Sequence, residues 1–68
     1  MAGVHTLTEG IASRLLARDG IAAIWHLQVA AAAAHRIGDP IAAASILKIA
    51  DAAEREWSRQ ETERTVRL

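Results

Sequence analysis

The chain has 68 residues, eight basic and eight acidic side chains that cancel to a formal net charge of zero, and no cysteine. This length leaves no room for a two-domain enzyme with a cleft between its domains. The lack of cysteine excludes a disulfide-stapled scaffold, a thiolate zinc site and an iron–sulfur cluster. The balanced charge gives no field that would attract nucleic acid or an anionic membrane.

Alanine dominates the apolar residues, with 16 copies against seven isoleucines and six leucines. Alanine has the highest intrinsic helix propensity, so the composition predicts an all-α chain. Burying its methyl group contributes only about 0.8 kcal/mol, against roughly 1.5 to 3 kcal/mol for Leu or Ile. We therefore expect a thin core and association, either with further copies of the chain or with a partner.

The first predicted helix covers residues 7 to 18. Thr6 and Glu9 have the spacing of a capping box, which predicts that the helix begins beside Thr6. Its apolar side chains fall on one face at helical spacing: Val4, Leu7, Ile11, Ala12, Leu15 and Leu16. Gly20 predicts the end of this helix, and the alternative is one long kinked helix that continues through Gly20.

The second predicted helix covers residues 20 to 37 and lacks a properly polar face. At 100° per residue, one side holds Ala23, His26, Leu27, Ala30, Ala33, Ala34 and Ile37, and the other holds Ile24, Trp25, Gln28, Ala32, His35 and Arg36. A helix that is apolar nearly all round is normally covered on several sides. Three short helices alone do not supply that much cover.

A turn at Gly38, Asp39 and Pro40 predicts the start of the third helix, because Gly favours a helix end, Asp an N-cap and Pro a first turn. One side of this helix is apolar: Ile41, Ile46, Ile49, Ala50, Ala53 and Trp57. Residues 1 to 57 are predicted to form a single helical domain, and 58 to 68 a polar extension that is either helical or frayed. The fold prediction is a three-helix, all-α chain with an antiparallel hairpin of helices two and three, assembled as an oligomer.

The candidate partner-binding residues lie on helices two and three: Ile24, Trp25, Gln28, Ala30, Ala34, His35 and Trp57. Small alanine side chains permit close helix packing, and Trp is enriched in interaction hot spots. Two alternatives stay open. The alanines could instead pack within the hairpin, and Trp25 could instead lie over the corner between helices one and two.

The sequence contains no recognised metal-binding or catalytic motif. His5, His26 and His35 are spaced so that they supply at most two ligands to any one site, fewer than zinc needs. No glycine-rich phosphate loop, nucleophile elbow or HExxH pattern is present. We therefore expect no catalytic residue, no metal and no cofactor, and we predict that the protein is not an enzyme.

The stretch from 30 to 57 reads AAAAAHRIGDPIAAASILKIADAAEREW. It resembles helical hairpins of small uncharacterised proteins from high-GC bacteria, in which an Ala/Arg-rich helix and a Pro turn precede a Leu-x-Ile-Ala-Asp-x-x-Glu-x-x-Trp helix. Its Gly-Asp turn and following alanines are also similar to a tetratricopeptide hairpin. The resemblance implies a bacterial or phage protein with a helical hairpin, and implies no activity.

These features predict a small protein–protein interaction module that acts by occupancy, as a regulatory or inhibitory protein or an accessory subunit, and that self-associates. The alternative is a nucleic-acid-binding regulator of the helix-turn-helix kind, although the first turns of helix three offer no Arg, Asn or Gln to read bases. Residues 1 to 5 lack the basic region and apolar core of a signal peptide. The longest uncharged run, 15 residues, is shorter than the roughly 20 that span a bilayer, so we expect a cytoplasmic protein.

Overall fold

The chain folds into three helices: α1 (Ala2–Asp19), α2 (Ala22–Arg36) and α3 (Pro40–Arg67). The computed structural model describes the backbone of residues 2 to 67 and the side chains of residues 7 to 66. Helices α2 and α3 form the most extensive contact, and α1 packs mainly on α3. The predicted all-α fold with a hairpin of helices two and three is therefore confirmed.

Helix α1 begins earlier than the sequence predicts. Its backbone is already helical at Ala2, so Thr6 lies inside the helix and the prediction of an N-cap at Thr6 is wrong. Nothing between Ala2 and Thr6 forces a helix to start later, since no proline lies there and a single glycine costs a helix only about 1 kcal/mol. The side chains of Val4, His5 and Thr6 lie outside the described residues.

Gly20 separates α1 from α2. Its φ of +65° is in the left-handed region that glycine adopts without strain, and its N–H donates to the Leu16 carbonyl at 2.8 Å. This is the glycine-terminated helix end that the sequence predicts. The alternative of one continuous kinked helix is therefore wrong.

The turn between α2 and α3 follows its sequence signals closely. Gly38 has a φ of +83°, its N–H donates to the His35 carbonyl, and the Asp39 N–H donates to the Ala34 carbonyl. These two bonds form a Schellman motif. The Asp39 side chain then accepts a hydrogen bond from the Ala42 N–H at 3.0 Å, which makes it the N-cap of α3.

The core is built almost entirely of alanine. Nine described residues are buried, and eight of them are alanines: Ala12, Ala23, Ala31, Ala34, Ala43, Ala50, Ala52 and Ala53, with Leu16 as the ninth. The larger apolar residues packed against this cluster are only partly buried: Leu15, Ile24, Leu27, Ile49 and Trp57. Because the interior holds such small side chains, the helices pack closely and much of the larger apolar surface stays outside.

The inner face of α2 does not coincide with either side that the sequence pattern separates. Ala23, Leu27, Ala31 and Ala34 follow each other on this face at spacings of four, four and three, and Ile24 also packs against the core. Four residues that the pattern groups with Ala23 are exposed: His26, Ala30, Ala33 and Ile37. Because α2 carries apolar residues all round, hydrophobicity alone does not indicate which side is buried.

Helix α3 continues past Trp57 to Arg67 without a break. Arg59 bonds to Glu56 and Glu63, one turn before and one turn after it, and Arg64 pairs with Glu61. The hydrogen bond and charge of Glu56, with the charge of Glu63, raise the pKa of Arg59. Such i, i+3 and i, i+4 pairs stabilise an exposed helix. The division into a domain of residues 1 to 57 and an extension stays a prediction.

Candidate protein-binding surface

Many of the large apolar side chains of the described chain lie outside the core. Eight are substantially exposed: Leu7, Ile21, Trp25, Val29, Ile37, Ile41, Leu47 and Val66. Isolated exposed apolar residues are ordinary, but a contiguous group of them marks an interaction site. An interaction site is therefore expected where several of the eight lie together.

Three of them lie in one row along α2. Ile21, Trp25 and Val29 follow each other at intervals of four residues, so they point to the same side of the helix. Exposed alanines extend and flank this row: Ala22, Ala32 and Ala33. We call these six residues the α2 outer face. It carries no charged side chain, and it lies opposite the alanines that face the core.

Trp25 is the largest side chain on the α2 outer face. It is 65% exposed, and its ring stands edge-on to His26 with 5.8 Å between the ring centres. The groove that it lines also includes Ile21, which lies in the connection between α1 and α2. The alternative that Trp25 lies over this corner therefore stays a prediction.

A groove of about 330 Å³ runs beside this face, between α2 and α3. It is lined by Ile21, Ile24, Trp25, Gln28, Glu54, Trp57 and Ser58. The Gln28 amide donates to Glu54 Oε1 at 3.3 Å across the two helices, and beyond this bridge a second groove continues past Leu47 and Lys48. The apolar surface of α2 thus has a polar border along α3.

The predicted binding residues divide into two groups. Ile24, Trp25, Gln28 and Trp57 all line the groove between α2 and α3, and Trp57 also packs on the core as the simplest sequence interpretation held.

The other three predicted residues lie elsewhere. Ala34 is only 9% exposed and belongs to the interior, where it has no free surface for a partner. Ala30 and His35 are exposed but line neither part of the groove. The binding surface supported by the structure therefore excludes Ala34.

Sequence reasoning also missed residues that belong to this surface. Ile21, Ala22, Val29, Ala32 and Ala33 were not among the predicted binding residues. The usable signal was the spacing of four, four and three from Ile21 to Ala32. It was obscured because the inner face of the same helix repeats that spacing two residues later, from Ala23 to Ala34.

A more polar groove lies between α1 and α3 and has a volume of about 490 Å³. Its lining includes two arginines, Arg55 and Arg59, which pair with Asp51 and with Glu56 and Glu63 respectively. Their charges are thus largely neutralised locally. No group of three or more His, Asp or Glu side chains among residues 7 to 66 is placed to hold a metal ion.

The helix-turn-helix alternative stays a prediction. The first turns of α3 present Ile41, which is 80% exposed, and the first cation along this helix is Lys48. Contacts such as the Gln28 to Glu54 bond hold α2 and α3 side by side well away from their turn, whereas a helix-turn-helix crosses its helices at about 90 to 120°. Along the described residues, no helix is both long enough and apolar enough to cross a membrane.

Comparison with known proteins identifies no relative. The chain matches no protein-family model, and no curated protein or solved structure shows significant similarity to it. The resemblance of residues 30 to 57 to bacterial helical hairpins therefore stays a prediction.

Proposed function

We propose that the protein is a small helical protein–protein interaction module of the cytoplasm, and that it acts by occupancy through the α2 outer face. Its binding would complete or block a surface on another protein, as an accessory subunit or an inhibitor does. The observation that carries this proposal is the exposure of Ile21, Trp25 and Val29 in one uncharged row.

The distribution of side-chain size supports this proposal. A chain with so few large apolar residues would gain most stability by burying them, since each contributes about two to four times as much as alanine. Instead, alanines fill the interior, and Trp25 stands 65% exposed. This arrangement is expected when the large residues are covered by a second protein.

The chemistry of the face is typical of an interface centre. Charged residues are depleted at the centres of protein interfaces, and Trp is enriched among the residues whose removal weakens binding most. No charged residue lies between Asp19 and Arg36, so docking a helix here removes no unpaired charge from water. The polar border of Gln28 and Glu54 fits the rim of such an interface.

Photo-crosslinking in the protein's own host cells tests the proposal. A photoreactive amino acid replaces Trp25 in one variant and Leu7 in a matched control, because both residues are 65% exposed but Leu7 lies on α1. We expect a discrete crosslinked adduct from position 25 only. The mass of that adduct distinguishes a second copy of the chain from a different protein.

Two results would overturn the proposal. Position 25 could give no adduct, or both positions could give the same diffuse set of products. Either result would mean that the α2 outer face is no more occupied than an arbitrary exposed apolar residue.

A further inference from the structure

The chain exposes more surface than a compact monomer of its mass. Its exposed area is 5,171 Å², whereas a folded monomer of 7.3 kDa is expected to expose about 4,200 Å². The difference of about 1,000 Å² exceeds the roughly 800 Å² that each partner buries in a stable complex. The α2 outer face and residues 62 to 66 at the end of α3 are both among the exposed regions of the chain.

We infer that the occupant of the α2 outer face is a second copy of the chain, whose α2 packs antiparallel to the first about a two-fold axis near Val29. This inference rests on the proposed function and specifies its partner. A two-fold pair uses the same patch on both chains, so the patch has to be complementary to itself.

The order of large and small residues makes the face self-complementary in the antiparallel direction only. The bulky residues, Ile21 and Trp25, occupy its N-terminal half, and the small residues Ala32 and Ala33 occupy its C-terminal half. With the axis at Val29, each indole lies over the two alanines of the other copy. A parallel pair would instead oppose Trp25 with Trp25 and leave a gap between the alanines, and such gaps forfeit packing energy.

The charges agree with the same arrangement. Arg36 continues the row of the α2 outer face by one further turn, and no ion-pair partner for it occurs among the described side chains. In the antiparallel pair it lies opposite the start of the other α2 and adds a second cation near Asp19, whose carboxylate is 3.9 Å from Arg18 of its own chain. The net charge of zero adds no long-range repulsion between copies.

Engineered cysteines test both the partner and the direction, because the natural chain has no cysteine to interfere. Val29→Cys places two thiols next to the axis, so mild oxidation is expected to link most of the protein as a covalent dimer. Ala32→Cys is the matched control on the same face. In the antiparallel pair its two copies are offset by about 9 Å along the helix axis, beyond the roughly 7 Å limit for a disulfide.

Circular dichroism first confirms that both variants keep the helical content of the natural chain, and sedimentation gives the mass of the natural chain. We expect a dimer at about 0.1 mM, of the order at which micromolar affinities saturate, with crosslinking at position 29 and none at 32. Efficient crosslinking at 32, or none at 29 in a dimeric protein, would overturn the antiparallel arrangement.

A monomer at that concentration would overturn the second copy as occupant. If position 25 then still crosslinks to a different protein in cells, only this inference fails and the proposed function stands. If position 25 gives no adduct either, both fail.

Discussion

The two sides of α2 are both apolar, but they differ in the size of their side chains and in what covers them. The buried residues of the inner side are Ala23, Ala31 and Ala34, which are 2 to 9% exposed, with Leu27 partly buried on the same side. The large residues of the outer side are Ile21, Trp25 and Val29, which are 49 to 65% exposed. At these positions size and burial are reversed relative to the usual arrangement, in which larger apolar residues are buried preferentially.

This reversal indicates that the two sides serve different contacts. Small side chains on the inner side let α2 approach α3 closely, and close approach gains dispersion energy over many atom pairs. Large side chains on the outer side add little to the stability of the fold while they face water. They stabilise a complex once another surface removes them from solvent, which is why we assign that side to binding.

The largest expected effect is a difference in unfolding free energy between substitutions at two adjacent residues, one on each side of α2. Ala31→Leu inserts a bulky side chain where Ala31 is 3% exposed, and such overpacking should cost about 3 kcal/mol of unfolding free energy. Ala32→Leu makes the same change on the exposed side and should cost the dilute monomer less than about 0.5 kcal/mol. Thermal unfolding of the dilute monomer followed by circular dichroism measures both. Equal losses would mean that the inner and outer sides are assigned wrongly.

The two tryptophans provide the next test. Trp57 packs on the core cluster while half-buried, so Trp57→Ala should reduce the unfolding free energy by about 2 kcal/mol, below the 3 to 5 kcal/mol of a fully buried Trp. Trp25→Ala should leave the unfolding of dilute monomer nearly unchanged and weaken association about thirtyfold or more, the size of a hot-spot loss. Chemical denaturation and sedimentation separate the two effects, and reversed roles would contradict the assignment of both residues.

Two glycines, one in a turn and one inside a helix, test how backbone conformation contributes to the stability of the protein. Gly38 has a φ of +83°, so Gly38→Ala should destabilise the protein by about 1 kcal/mol although no atom obstructs a Cβ. Gly10 lies inside α1 with open space around it, and Gly10→Ala should stabilise the protein by a similar amount. Melting temperatures should shift in opposite directions. Shifts in the same direction would show that one backbone conformation is misassigned.

The smallest expected effect lies at the end of α3, far from either side of α2. Arg59→Gln removes both ion pairs of Arg59, and since the pairs are exposed, the change should increase amide exchange in residues 58 to 66 without a measurable shift of the melting temperature. High salt should reproduce part of this effect in the natural chain, because it screens exposed charges. A large global loss of stability would show that this segment supports the core.

The sequence predicts the helices and their turns well because local chemistry determines them. Gly38, Asp39 and Pro40 define one turn through backbone conformation and capping, independently of the rest of the chain. The orientation of α2 was not predicted, since Ala30 and Ala31 look alike in sequence and only packing decides which one is buried. For the same reason Ala34 was placed on the binding surface and Val29 was left out of it.

The start of α1 was missed for a different reason. Thr6 and Glu9 have the spacing of a cap, but the same spacing occurs inside helices, and here the helix continues back to Ala2. A capping box therefore predicts a helix start only where the preceding residues disfavour a helix. Residues 2 to 5 do not disfavour one strongly enough to stop the helix.

Radical footprinting of Trp25 tests most directly whether the α2 outer face is covered by protein. The oxidation of Trp25 is measured relative to that of Leu7, which is equally exposed but lies on α1, in host cells and in the purified chain at high dilution. We expect Trp25 to be strongly protected in cells and reactive in the diluted chain, with Leu7 equally reactive in both. Equal reactivity of Trp25 under the two conditions would show that this face stays open to solvent in the cell, and would contradict its assignment as a binding surface.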